Sequence, residues 1–213
     1  MGIHSQLRNV FCLGKNFAAH ARELNSEPPT TPLWFNKLPS IFIGDGDSIH
    51  IPQWLTSRVD CEAEVAIQIG DDLRDASVAE CEAAITAYTC ANDITARDVQ
   101  SRDRQSGMPW LRSKNIQSFG VLGPRWADYP GAQAFAELQL TGRLNGEIVQ
   151  QALLGEMIFS PSEALSEICR WHQLSSGDVL LLGTPQGVTP IADGDTLEVR
   201  CGDLLLSDRV SQA

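Results

Sequence analysis

The sequence predicts an α+β fold that is mostly β and mostly antiparallel. Short runs of alternating apolar and polar residues recur along the chain, bounded by Gly, Pro and Asx turns. Only about three stretches carry helix signals, and strands and helices do not alternate in the series that a parallel sheet requires. With 213 residues, 43% of them hydrophobic, the chain reads as one domain over 1–213. It needs no disulfide or metal to complete its core.

In order, residues 8–14 form a short strand ending at Gly14, and "NFAAHAREL" (16–24) has helix-forming composition. The Pro-rich loop "NSEPPTTP" closes that helix, and "LWFNKLPSIFIGDGDSIHIP" suggests two short strands around a Gly/Asp turn. "VDCEAEVAIQIG" (59–70) alternates cleanly as a strand: Val59, Cys61, Ala63, Val65, Ile67 and Ile69 share one face, and Asp60, Glu62 and Glu64 the other. Ser77 and Glu80 make a capping box that starts a helix over "VAECEAAITAY". The polar "TCANDITARDVQSRDRQSGMPWLRSKN" reads as a long ordered loop containing one helical turn. "FAELQLTGRLNGEIVQQ" is a hairpin on a type I′ Asn145-Gly146 turn. Ser160, Pro161 and Glu163 start another helix over "SPSEALSEICRWH". "DVLLLGTPQGVTP" is a buried strand running into a Gly/Pro turn, and strands at 196–201 and 203–210 finish the chain.

A net charge of −11 argues against nucleic acid and against an anionic membrane surface as partners. No apolar run approaches the roughly 18 residues of a membrane span. Cys12, Cys61, Cys81, Cys90, Cys169 and Cys201 contain no C-x-x-C pair and read as buried free thiols of a reducing compartment. The N-terminus has no signal-peptide core, and Gln6 occupies the place where an acylated Gly2 would need Ser or Thr. A cytoplasmic protein is expected.

Three groups of residues could carry chemistry. The acidic face at Glu62 and Glu64 is either a solvated edge or half of a cation site, to which Asp93 of "ANDITARD" could add a third oxygen ligand; Mg²⁺ or Mn²⁺ suits such a set better than zinc. His20 and Glu23, three apart on a helix, can touch, as a surface pair or as an imidazole made more basic by a carboxylate. His4, His50 and His172 read as non-catalytic, His172 falling on the core spacing of its helix. Arg97, Arg102, Arg104, Arg112 and Lys114 form a basic cluster in an acidic chain, suited to a small anion unless Asp98 and Asp103 neutralise it.

In combination these segments resemble the fumarylacetoacetate hydrolase family from about residue 10 to 210. "CLGKNFAAHARE" is similar to its C-x-G-x-N-Y-x-x-H-x-x-E opening, "FNKLPS" to F-x-K-P-P-S, and "DCEAEVAIQIG" to its E-x-E metal strand. "YTCANDITARDVQ", "WLRSKN" and "LLGTPQGV" resemble three further blocks in the family's order. The resemblance implies the family's mixed β-sandwich roll, usually dimeric, in the short form without an extra N-terminal domain. It points to the small acylpyruvase and oxaloacetate decarboxylase branch. It further implies Glu62, Glu64 and Asp93 as Mg²⁺/Mn²⁺ ligands and His20 and Glu23 as a water-activating dyad on a mobile lid. Lys114 would assist catalysis. Arg97, Gln100 and Thr184 would contact a small anionic 2-oxo acid, with Lys37 near the site. Ile116, Gln117 and Val121 depart from the family's usual Phe, Asp and Pro.

The function expected is divalent-metal-dependent hydrolysis of the carbon–carbon bond of a 2,4-dioxo acid, an acylpyruvate or fumarylpyruvate, through an enolate stabilised by the metal. Oxaloacetate decarboxylation and keto–enol isomerisation are alternatives on the same site. A metal-binding pseudoenzyme is the alternative outside catalysis.

Overall fold

The computed structural model describes residues 7–24 and 26–212; the sequence readings on Gly2, His4 and Gln6 lie outside the described residues. The strand Ile85–Asp93 runs through the middle of the fold. It pairs antiparallel with Ala63–Ile69 on one side and Gly120–Leu122 on the other. The eight-stranded sheet built around it runs Leu33–Lys37, Val10–Gly14, Val179–Leu181, Ala63–Ile69, Ile85–Asp93, Gly120–Leu122, Phe42–Gly44, with Ala127–Asp128 also on the central strand. Three pairings are parallel: Val10–Gly14 with Val179–Leu181, Phe42–Gly44 with Gly120–Leu122, and Ser48–Ile51 with Leu204–Gln212.

A second sheet of five strands runs Glu147–Leu153, Gln139–Leu144, Thr196–Cys201, Leu204–Gln212, Ser48–Ile51. Its middle strands pack on Ala63–Ile69 and Ile85–Asp93, and the core between the sheets includes Val65, Ile67, Cys90, Leu140, Leu197 and Val199. Each aliphatic side chain so buried contributes about 1.5–3 kcal/mol. The turn at Asn145 (φ 51°) and Gly146 (φ 84°) is the left-handed pair expected of type I′. The Ser77 and Ser160 capping boxes both form, starting helices Val78–Ala84 and Pro161–Trp171, which pack on each other. All six cysteines are buried and free.

Several expectations are corrected. The helix begun at Ser77 stops at Ala84, and Ile85–Asp93 is a strand. Ladders on both sides of this segment outweigh its continued helical pattern, and β-branched Ile85 and Thr86 suit the change. The region expected as a loop contains the end of that strand, the bridge-forming Thr95–Ala96, and helices Arg97–Gln105 and Leu111–Lys114. Arg97–Gln105 offers little apolar periodicity to read, Val99 being its one large apolar residue. With Ala18–Glu23 and Ala132–Ala136, the described residues hold six α-helices rather than about three.

Three strands, not two, occupy 33–51. The Gly/Asp turn makes no hairpin, because Phe42–Gly44 joins the first sheet and Ser48–Ile51 the second. His172 caps the C-terminus of its helix, exposed, with its ring 5.4 Å from that of Phe11.

The acidic strand is interrupted. Val59–Cys61 belongs to a small three-stranded sheet with Thr189–Pro190 and Thr95–Ala96, and Ala63–Ile69 belongs to the large sheet. At the break, Asn92 Oδ1 accepts the Glu62 N–H (3.0 Å) and Gln150 Oε1 accepts the Ala63 N–H (2.8 Å). Asp60, Glu62 and Glu64 are all buried, so no solvated edge exists here.

Candidate active site

The large sheet delivers three carboxylates to one point. Glu62 stands at the strand break, Glu64 two residues on, and Asp93 at the end of the neighbouring strand. All three are buried, and one oxygen of each lies within 4.8 Å of the others. Three adjacent buried anions repel one another and lose hydration, so the surroundings must compensate. The Lys114 ammonium does so in part, lying 2.7 Å from Glu62 Oε2 and 2.6 Å from Asp93 Oδ2. Lys37, whose side chain has no solvent exposure, lies 2.6 Å from Asp93 Oδ1 and donates to the Phe119 carbonyl at 2.5 Å. Asp93 Oδ1 makes no hydrogen bond among the described residues and is met by the Lys37 ammonium as an ion pair.

The Arg97 guanidinium binds Glu62 Oε1, Asp60 Oδ2 (2.8 Å) and Gln100 Oε1 (2.7 Å), and Arg58 completes Asp60 at 2.6 Å. Burial by itself raises the Glu62 pKa; Lys114 and Arg97 outweigh it and hold this carboxyl well below the usual carboxylate range. Glu64 goes the other way, because burial and then Asp93 and Glu62 push it well above that range. Lys114, although buried, is held above the usual lysine value by Asp93 and Glu62. The three converging carboxylate oxygens of Glu62, Glu64 and Asp93 are the donor set that suits a hard divalent cation.

The helix Ala18–Glu23 places His20 and Glu23 on one face, Nδ1 to Oε2 at 3.0 Å. His20 is buried, and Glu23 is partly exposed. Glu23 Oε1 accepts the Gly187 N–H at 3.0 Å. Only glycine fits at 187: φ is +100°, and a Cβ would fall 2.0 Å from the Val149 carbonyl oxygen. The same turn sends the Gly183 N–H to Glu64 Oε2 (2.8 Å) and Thr184 Oγ1 to the Ala63 carbonyl (2.9 Å).

His20, Glu62, Glu64, Arg97, Gln100, Lys114 and Thr184 line one cavity; Lys37 and Asp93 are buried beside it, and Glu23 faces an outer groove. All ten predicted residues therefore converge on one region, although Arg97 already spends its donors on Asp60, Glu62 and Gln100. The basic cluster does not converge. Arg102, Arg104 and Arg112 are exposed, and Arg112 pairs with Asp103. Phe35 and Trp110, 5.6 Å apart edge to face, wall the cavity. Ile116, Gln117 and Val121 lie outside its lining. Burial pushes the Cys61, Cys90 and Cys201 thiols up to about 12, leaving no nucleophilic thiolate among them.

Sequence reasoning missed Asp60 as the partner of Arg97, and missed Asn92 and Gln150 as the amides at the strand break. A polar residue in a hairpin strand reads as solvent-facing, so Gln150 offered no signal.

Comparison with known proteins places this mixed roll, with its buried acidic cluster beside a His–Glu pair, in a family. Residues 9–210 match the family described as Fumarylacetoacetate (FAA) hydrolase C-terminal, and the chain belongs to the fumarylacetoacetate hydrolase family, whose members are enzymes. It is 39% identical over 189 residues to the uncharacterized protein PH0643 of Pyrococcus horikoshii, covering 89% of this chain and 81% of that protein. It is 32% identical over 193 residues to oxaloacetate tautomerase FAHD1, mitochondrial, of Bos taurus, covering 90% and 86%. Its fold is similar to the crystal structure of fumarylpyruvate hydrolase from Pseudomonas aeruginosa in complex with Mn²⁺ and pyruvate. That likeness has a TM-score of 0.88 at 28% identity and covers 97% of this chain and 91% of that one. Among the described residues no helix is long and apolar enough to cross a membrane.

Proposed function

We propose that the chain is a divalent-metal-dependent hydrolase that cleaves the carbon–carbon bond of 2,4-dioxo acids of the acylpyruvate or fumarylpyruvate type. One observation carries this reading: three buried carboxylates have oxygens within 4.8 Å of one another, and two of them, Glu62 and Glu64, line a cavity with an imidazole backed by a carboxylate. Glu62, Glu64 and Asp93 would hold Mg²⁺ or Mn²⁺. When bound, the ion would supply Lewis-acid stabilisation of the charge that develops on the oxo acid.

The chain's own residues do the rest. His20, oriented by Glu23, takes a proton from water, whose oxygen adds to the distal carbonyl carbon. The C–C bond then breaks, its electron pair going to the pyruvate fragment as an enolate, and an acid is released. The Lys114 ammonium would offset that negative charge as it grows, and His20 would return its proton to the leaving fragment. Gln100 orients the substrate carboxylate, while the Thr184 hydroxyl proton is committed to the Ala63 carbonyl. Replacing Glu23 by Gln should lower turnover of acetylpyruvate about 10²–10⁴-fold in Mg²⁺, followed by loss of substrate absorbance. Unchanged turnover would remove the dyad from the account.

A second reading is supported by 32–35% identity to three proteins named oxaloacetate tautomerase. Tautomerisation or decarboxylation of oxaloacetate uses the same carboxylates and cations but no activated water. Turnover of oxaloacetate without turnover of acetylpyruvate would favour it. The proposal includes a homodimer and a cytoplasmic location, the latter supported by six free cysteines.

A further inference from the structure

We propose that Gln150 is a positioning residue for the metal-ligand strand. Its amide locks the break beside Glu62 to the Gly183–Gly187 turn and so sets where Glu64 and Glu23 stand. The inference rests on the metal-binding reading given above and concerns what holds those ligands in place.

Gln150 lies on Glu147–Leu153, in the other sheet from the ligands, and is 2% exposed. Its Oε1 accepts the N–H of Ala63, the residue between Glu62 and Glu64, at 2.8 Å. Its Nε2 donates to Thr184 Oγ1 at 2.7 Å and to the Pro185 carbonyl at 2.8 Å. One side chain thus joins the ligand strand to the turn that grips Glu64 through Gly183 and Glu23 through Gly187. Its own place is fixed from behind. Gln150 pairs with Gly142, where a Cβ would fall 2.8 Å from the Ala63 Cβ, so the hairpin seats directly on the ligand strand.

An alkyl chain at 150 leaves the Ala63 N–H and the Pro185 carbonyl without partners in a buried setting. The turn can relieve this by moving off toward water, taking the Gly183 and Gly187 amides with it. Ligand geometry tolerates only small errors, and losing a group that orients ligands lowers metal affinity about 10–100-fold.

The test uses Gln150→Met, equal in length and without hydrogen bonds, with Gln151→Met on the exposed side of the same strand as control. Mn²⁺ affinity is read from the free-ion electron paramagnetic resonance signal, and the folded state from circular dichroism and the metal-free melting temperature. Backbone exchange is followed at Ala63, Gly183 and Gly187. The expected result is a wild-type spectrum, Mn²⁺ binding weakened about 10–100-fold, and faster exchange at all three amides, with Gln151→Met like wild type. A folded Gln150→Met that binds Mn²⁺ within twofold of wild type overturns the inference. Should that variant not fold, Gln150→Asn, which keeps the amide but is one methylene too short to reach both Ala63 and the turn, decides: weakened Mn²⁺ binding supports the inference and unchanged binding overturns it. Wild-type protein that binds no Mn²⁺ would sink the metal reading instead, and the exchange rates would then judge Gln150 alone.

Discussion

The cavity and the Asp208 site both bury acid, and they handle it in opposite ways. At the cavity the Glu62 carboxyl is held well below the usual carboxylate range because Lys114 and Arg97 lie against it. Asp208 sits on the inward face of Leu204–Gln212 between buried Leu206 and Val210, and its Oδ1 has no hydrogen-bond partner. No Lys or Arg of the described residues forms an ion pair with it, while Asp45 adds repulsion. Burial pushes its pKa up to about 8, which favours its neutral form. The contrast teaches that burial does not by itself make an acidic site. Charge survives burial where cations sit within about 3 Å, and those cations are what leave the cluster ready for a metal and an anionic substrate.

The largest effect should come from stripping one compensating cation. Lys37→Met should cost about 3–5 kcal/mol in urea unfolding of the metal-free protein, because it leaves Asp93 beside the other acids with one ammonium fewer. A loss below about 1 kcal/mol would mean that Lys37 compensates little and that the contrast with Asp208 is false.

Asp208 predicts a pH dependence of known sign. Its folded pKa is raised, so the folded state holds a proton that the unfolded state has released between the ordinary carboxylate range and about 8. Its contribution to stability is full below that range, falls as pH rises, and is gone above about 8. Between pH 5 and 7 the decline is about 2–3 kcal/mol. In Asp208→Asn this part of the slope should vanish in denaturant titrations at the two pH values. An unaltered slope would show that Asp208 has found a partner after all.

The smallest effect sharpens the comparison from the cavity side. Mn²⁺ at ten times its dissociation constant should stabilise wild type by about 1.4 kcal/mol, and a chelator should reverse it. Asp208→Asn should gain the same increment. Loss of the increment in that variant would mean that the two regions are coupled.

Much of the site was legible before folding was considered. The His-x-x-Glu pair on a helix is a local pattern and survived as written, whereas the Glu-x-Glu pair reads as part of one continuous strand and Glu62 instead stands at its break. The capping boxes at Ser77 and Ser160 and the Asn145-Gly146 turn were legible for the same reason, since neighbouring residues close their hydrogen bonds. The span 85–114 was misread because its conformation depends on strands far away in sequence. Ile85–Asp93 is a strand only because Ala63–Ile69 and Gly120–Leu122 flank it.

By itself the sequence determined the strand-rich character, the family and the identities of the ten residues that gather at the cavity. The tertiary structure alone decided that Glu62 stands at a break between two sheets, that Arg97 is spent on Asp60 and Glu62, and that Gln150 reaches across from the second sheet. The physical reason is range. Periodicity and capping act within one turn or one strand, whereas a buried charge is settled by whichever partners the packing brings within hydrogen-bonding distance.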